Sequence, residues 1–270
     1  MSGEGVRPPH AVLLREPARF DAQTTAVVLA GFSKLPAETL LPVVRRGWGI
    51  VGEPARAEDA EALAAALTAA GRPALSAPAS LIEEPPEPVV VLKGELAGDG
   101  FDVEAAKANA PRERLSWSRL RVLSAGQVTE TSTKTVTEGP SVAEKSVRLG
   151  VTLATGIPVG RGKETTRTVS EEKRVPFIEL LFTAPARRVR IMAATFDYSV
   201  LGPKMGYSAE LNFRALVAEL AARAPSALRS RGARAVLGKA HSGLLAYESF
   251  EDAGRELRWL GTLVALEAAL

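Results

Sequence analysis

The chain of 270 residues contains no cysteine, which excludes disulfides, thiolate metal sites and cysteine nucleophiles. It has only two histidines, His10 and His241, far apart in sequence. Metal binding is thereby left to carboxylates, and neither an HExxH nor a DxDxDG spacing occurs. Aromatic residues make up 5% of the chain, too few for the stacking platforms that hold single-stranded nucleic acid. No run approaches the ~18 apolar residues of a membrane-spanning helix. The opening MSGEGVRPPHAVLLREPARF mixes proline and charge where a signal peptide needs an apolar stretch. A reducing cytoplasm is the compartment expected of such a chain, and the alanine- and arginine-rich composition fits a GC-rich bacterial source.

Catalytic patterns are equally scarce. In GIPVGRGKETT (156–166), five residues separate Gly156 and Gly162, and Glu164 stands where a phosphate-binding loop needs a hydroxyl. A carboxylate there repels phosphate. No GxSxG elbow surrounds any serine. The expectation is a protein without catalytic residues, metal or cofactor. Carboxylate-only catalysis stays open, because an Asp197 or Glu179 with a chemical role reads in sequence like one that faces solvent.

The chain does hold an uneven charge. Residues 1–110 carry 10 Lys and Arg against 15 Asp and Glu, whereas residues 111–270 carry 24 against 16. Two parts with different surfaces are implied. In the first part, TTAVVLAG (24–31) reads as a short buried strand stopped by Gly31, and residues 36–47 as a helix that Pro42 kinks or ends. Residues 57–71 form the clearest helix, with Ala60, Leu63, Ala64 and Leu67 on one face, acids in the first turns and Gly71 as C-terminal cap. RPALSAP (72–78) and PVVVLKGEL (88–96) read as strands. This is a small α/β layer over residues 21–97, after a flexible lead-in at 1–20 and before a linker at 98–112.

Beyond the linker the texture turns to strands. Leu120 and Val122 alternate with Arg119 and Arg121, and a ladder of Thr129, Thr131, Thr133, Thr135 and Thr137 follows. Residues 175–185 and 187–195 give two more strands, and residues 207–225 a helix with Ser208 as N-cap and Phe213, Leu216, Val217 and Leu220 as apolar face. These elements fill a second domain at 113–235, with an insertion at 139–170. The segment 236–270 closes the chain with a helix opened by Ser249 and Asp252, whose apolar side (Leu257, Leu260, Val264) needs a cover from this chain or from a second copy.

Two stretches resemble known families. AVVLAG, LLPVVRR and AEDAEALAAALTAAGRPALS, in that order, resemble the C-terminal domain of the ribosomal stalk protein over about 50 residues. A counterpart of that family's glycine-rich, factor-binding helix is lacking. SWSRLRVLSAG followed by NFRALVAELAARAP resembles bacterial pleckstrin-homology-like and GRAM-like domains over about 115 residues. The second resemblance implies an antiparallel β-barrel capped by a helix, so the fold class expected is α+β. Both resemblances imply binding rather than bond making.

Candidate interaction residues follow. Arg188 and Arg190 share one strand face, with Lys173 and Arg174 on a nearby segment, as a basic surface for a protein partner or anionic lipid. The insertion brings apolar Val147, Leu149, Val151 and Leu153 for a partner groove or a membrane interface. Nucleic acid is disfavoured. The function expected is a non-enzymatic adaptor that docks another protein through apolar contact and charge, with peripheral membrane binding as the alternative.

Overall fold

The computed structural model describes residues 9–52, 56–106, 111–138, 165–240 and 245–269. The chain divides into two compact units, residues 129–174 and all the rest. The fold class is α+β.

In the larger unit a small layer comes first. Strand β1 (His10–Leu14) pairs antiparallel with β2 (Ala74–Pro78), from His10 opposite Pro78 to Leu14 opposite Ala74. Strand β1 falls within residues 1–20, expected as a flexible lead-in, and its Ala11, Val12 and Leu13 are fully buried in the core. On the other edge of β1, Val51 donates to the Val12 carbonyl and Leu14 to the Gly49 carbonyl, each at 2.8 Å. Helices α1 (Ala22–Ser33), α2 (Ala37–Gly47) and α3 (Ala57–Ala69) complete the layer. In α3 the face Ala60, Leu63, Ala64 and Leu67 is buried, and Gly71 follows with φ +76°, the left-handed turn expected of it.

Residues 24–31, expected as a strand, lie inside α1. The cause is one position upstream: the Asp21 carboxylate caps the first turn by accepting from Gln23 N at 3.0 Å and Thr24 N at 3.4 Å. The apolar run alone does not separate strand from buried helix. Nor does Pro42 end α2, which runs on to Gly47. Proline removes one donor there, and the buried pair Leu40 and Val44 holds the helix against its neighbours.

The second sheet has the strand order β10, β6, β7, β8, β3, β4, β5. Its members are β3 (Pro88–Leu96), β4 (Gly100–Ala105), β5 (Glu113–Ser116), β6 (Leu120–Glu138), β7 (Thr165–Phe182), β8 (Arg187–Met192) and β10 (Ala246–Tyr247). The short β9 (Leu228–Arg229) also pairs with β6. The path has two free ends, so the sheet is open and the expected barrel is not formed. β3, expected in the first domain, pairs in parallel with β8 at Val89 opposite Val189. The expected linker 98–112 contains β4, whose Phe101 and Val103 are buried. Glycine and aspartate gave this stretch the texture of a boundary and hid its alternation of period two.

Helix α4 (Ala209–Arg223) packs Phe213, Leu216, Val217 and Leu220 into the core on one face of this sheet, with the Ser208 hydroxyl accepting from Leu211 N at 3.2 Å. Helix α5 (Arg231–Leu237) adds to that core. The other core joins the sheet, through Phe177 and Leu181, to the small layer, through Leu13, Leu14 and Leu67. Helix α6 (Phe250–Ala269) lies in that core with Leu257, Trp259 and Leu260 buried. The cover for Leu257 and Leu260 therefore comes from the same chain.

The unit 129–174 holds, among its described residues, the stretches 129–138 of β6 and 165–174 of β7. The threonine ladder falls on the first of these.

Candidate interaction surface and adjoining cleft

Arg188 and Arg190 share a face of β8 as expected, but that face is interior. Register places Glu179 of β7 opposite Arg190, and its carboxylate is fully buried. Arg188 Nη2 donates to both Glu179 oxygens at 2.9 Å, and Arg190 Nε donates to Oε1 at 2.7 Å. The Arg190 guanidinium lies 4.4 Å from the Phe250 ring centroid. Gly254 of α6 faces Arg188, where an added Cβ would meet Nη2 at 3.3 Å. The basic surface expected here is thus an internal Arg–Glu–Arg cluster under α6. Lys173 and Arg174 are exposed and belong to the other unit. Val147, Leu149, Val151 and Leu153 lie outside the described residues. Asp197 is exposed and caps a 3-10 turn by accepting from Ser199 N at 2.9 Å, which draws its carboxyl below the usual range. Both acids named for catalysis thus have structural partners.

An apolar surface lies elsewhere, on the α1–α2 hairpin. The two helices form a pair bent by 119° and pack through Ala26, Leu40 and Val44, with Leu29 and Leu41 at the margin. Their other sides expose Val27 (55%), Phe32 (46%), Leu35 (48%) and Val43 (61%). Single exposed apolar residues are ordinary, but four on one hairpin ask for a cover. Sequence reasoning missed Val27 because a strand was expected at 24–31, and Phe32 and Leu35 because they fall outside any expected element.

Beside α2 opens a cleft of about 610 Å³. Phe20 and Trp48 form its aromatic part, with ring centroids 5.5 Å apart. Arg45 and Arg46 enter from α2, and Arg231 from the start of α5. Trp48 sits at φ 53°, ψ −123°, a backbone conformation that costs a non-glycine residue on the order of 1–3 kcal/mol. Its indole repays this: Nε1 donates to Asp252 Oδ1 at 3.0 Å, and the ring meets Tyr247 at 5.8 Å.

Arg231 is held from behind. Its guanidinium stands 5.1 Å from the Trp48 ring and 5.3 Å from that of Tyr247, and Nη2 donates to the Ala246 carbonyl at 2.6 Å. Its backbone N–H donates to Glu256 Oε1 at 2.6 Å, and Glu256 Oε2 accepts from the Tyr247 hydroxyl at 2.6 Å. Burial pushes the Glu256 carboxyl above its ordinary range, against the opposing effects of the Tyr247 hydroxyl, the Arg231 N–H and the Arg234 and Arg231 charges. Burial likewise raises the Tyr247 phenol.

Two of the cleft's acids are engaged by the fold. Asp21 caps α1, accepts from the Thr24 hydroxyl at 2.6 Å and pairs with Arg72 at 2.8 Å. Asp252 takes the Trp48 indole and, at 3.3 Å, Glu248 N. Arg45 is exposed and has no partner among the described residues. No group of three or more metal-ligating side chains occurs among the described residues. The chain matches no family model, no curated protein and no solved structure.

Proposed function

We propose that this chain is a non-enzymatic interaction protein, an adaptor, that docks a protein partner on the α1–α2 hairpin. The observation that carries the reading is the exposure of Val27, Phe32, Leu35 and Val43 on one helical hairpin. The basic residues Lys34, Arg45 and Arg46 stand beside them, exposed. An apolar centre with a charged rim is the usual plan of a protein–protein interface. A bacterial cytoplasm remains the setting proposed.

A membrane interface is the second reading, favoured by one fact. No single described helix is long and apolar enough to cross a membrane, but the bent pair α1 and α2 meets that length and composition together. Ser33, Lys34 and Glu38 interrupt the apolar side, which a protein partner accommodates more readily than hydrocarbon does. Protein binding is therefore preferred.

The test compares the wild type with a Phe32→Asp, Val43→Asp double variant as baits. A protein retained by the first and lost by the folded second supports docking on the hairpin; equal retention contradicts it. Flotation of the wild type with anionic vesicles, lost in the same variant, would instead favour the membrane reading.

A further inference from the structure

We propose that the cleft at Trp48 is a binding site for a small organic anion, a carboxylate or phosphate carried on a flat apolar or aromatic body. This goes beyond the docking reading: it shares Arg45 and Arg46 with the rim of the hairpin surface but none of the apolar residues Val27, Phe32, Leu35 and Val43 that carry that reading. The volume, about 610 Å³, falls within the range of small-molecule pockets, roughly 300–1,000 Å³. Phe20, half-buried, offers an apolar patch for a flat body, and Trp48 lines the cleft with 4% of its surface exposed.

The charge preference follows from which groups are already engaged. Asp21 caps α1 and pairs with Arg72, and Asp252 takes the Trp48 indole and lies 3.7 Å from Arg255, so each of these carboxylates has an arginine outside the lining as its counter-charge. That leaves Glu248, whose carboxylate has no such partner among the described residues, in a lining that also holds Arg45, Arg46 and Arg231. Arg46 acts electrostatically on Glu251 outside the cleft, while Arg45 has no partner among the described residues. Arg231 lies over both the Trp48 and Tyr247 rings, which adjoin each other, with its backbone N–H held by buried Glu256. A guanidinium oriented in advance loses little freedom on meeting a planar anion.

The experiment uses the full chain and two matched probes, naphthalene-2-carboxylate and the neutral 2-naphthamide. Binding is followed by the indole N–H resonance of Trp48, with Trp117 and Trp259 as internal references. The carboxylate is expected to shift the Trp48 signal with Kd at or below about 1 mM, and the amide to bind at least about tenfold more weakly. An Arg45→Gln, Arg46→Gln variant, altered only at exposed positions, should bring the two probes close together. An unmoved Trp48 signal, equal binding of acid and amide, or a preference unchanged in the double variant would each overturn the proposal.

Discussion

The indole Nε1 of Trp259 donates to the carbonyl of Leu14 at 2.8 Å, across 245 residues of sequence. It ties α6 to β1, and Gly49 makes room for it. A Cβ at Gly49 would fall 1.8 Å from Cε2 of that indole. The small N-terminal layer and the last helix are thus built around one ring.

The first prediction concerns that space. Gly49→Ala should destabilise the protein by about 1–3 kcal/mol through overpacking, and Trp259→Ala by about 3–5 kcal/mol. Gly47→Ala, where a Cβ meets nothing within 4 Å, should leave stability unchanged or raise it by up to about 1 kcal/mol. Urea unfolding of the three variants checks this, and equal midpoints for Gly49→Ala and Gly47→Ala would contradict it.

Removing Glu179 strands two arginines under α6. Glu179→Gln should therefore cost about 3–5 kcal/mol, the range for breaking a buried pair from one side. Replacing the whole cluster with apolar residues, Glu179→Leu with Arg188→Met and Arg190→Met, should recover most of that loss. Chemical denaturation measures both. A mild effect of Glu179→Gln alone would mean that water reaches the cluster.

Glu256 sets a pH dependence whose sign is fixed by burial. Its folded-state pKa is raised above the unfolded value, so in the interval between the two the folded chain holds the extra proton. The contribution is present in full below the ordinary carboxylate range, about pH 4, and is lost as pH rises through the raised folded value. Glu256→Gln should flatten this part of the stability–pH profile. A wild-type stability that rises across that interval because of Glu256 would contradict the burial account.

The hairpin surface should be nearly free of folding cost. Phe32→Asp and Val43→Asp replace exposed side chains and should change stability by no more than about 0.5 kcal/mol each. Leu40→Ala, on the buried side of the same hairpin, should cost about 2–5 kcal/mol. Thermal unfolding separates the two classes, and a large loss at Val43 would mean that it belongs to the core.

Most of the elements were legible from local pattern. The strand 88–96, the α3 face, the Ser208 cap and the Ser249 start of α6 all depend on neighbours within a few residues. What escaped depended on partners far away. Arg188 and Arg190 read as a solvent-facing pair because nothing local reveals that Glu179 and Phe250 close over them. The cleft draws Trp48 from one end of the chain and Arg231 from the other, held by Glu256, and no spacing rule joins them. In the hairpin the missed signal was local after all: Asp21 before AQTT is an N-cap, and reading it would have turned a strand into a helix.

The central claim is that the α1–α2 hairpin carries a protein partner, and site-directed photo-crosslinking tests it most directly. A benzophenone side chain is placed at Phe32, at Val43 and, as a control, at Tyr207, which is 97% exposed outside the hairpin. The account predicts one discrete protein crosslinked from positions 32 and 43 in the native host and none from 207. No crosslink from either hairpin position, or the same products from all three, would contradict it.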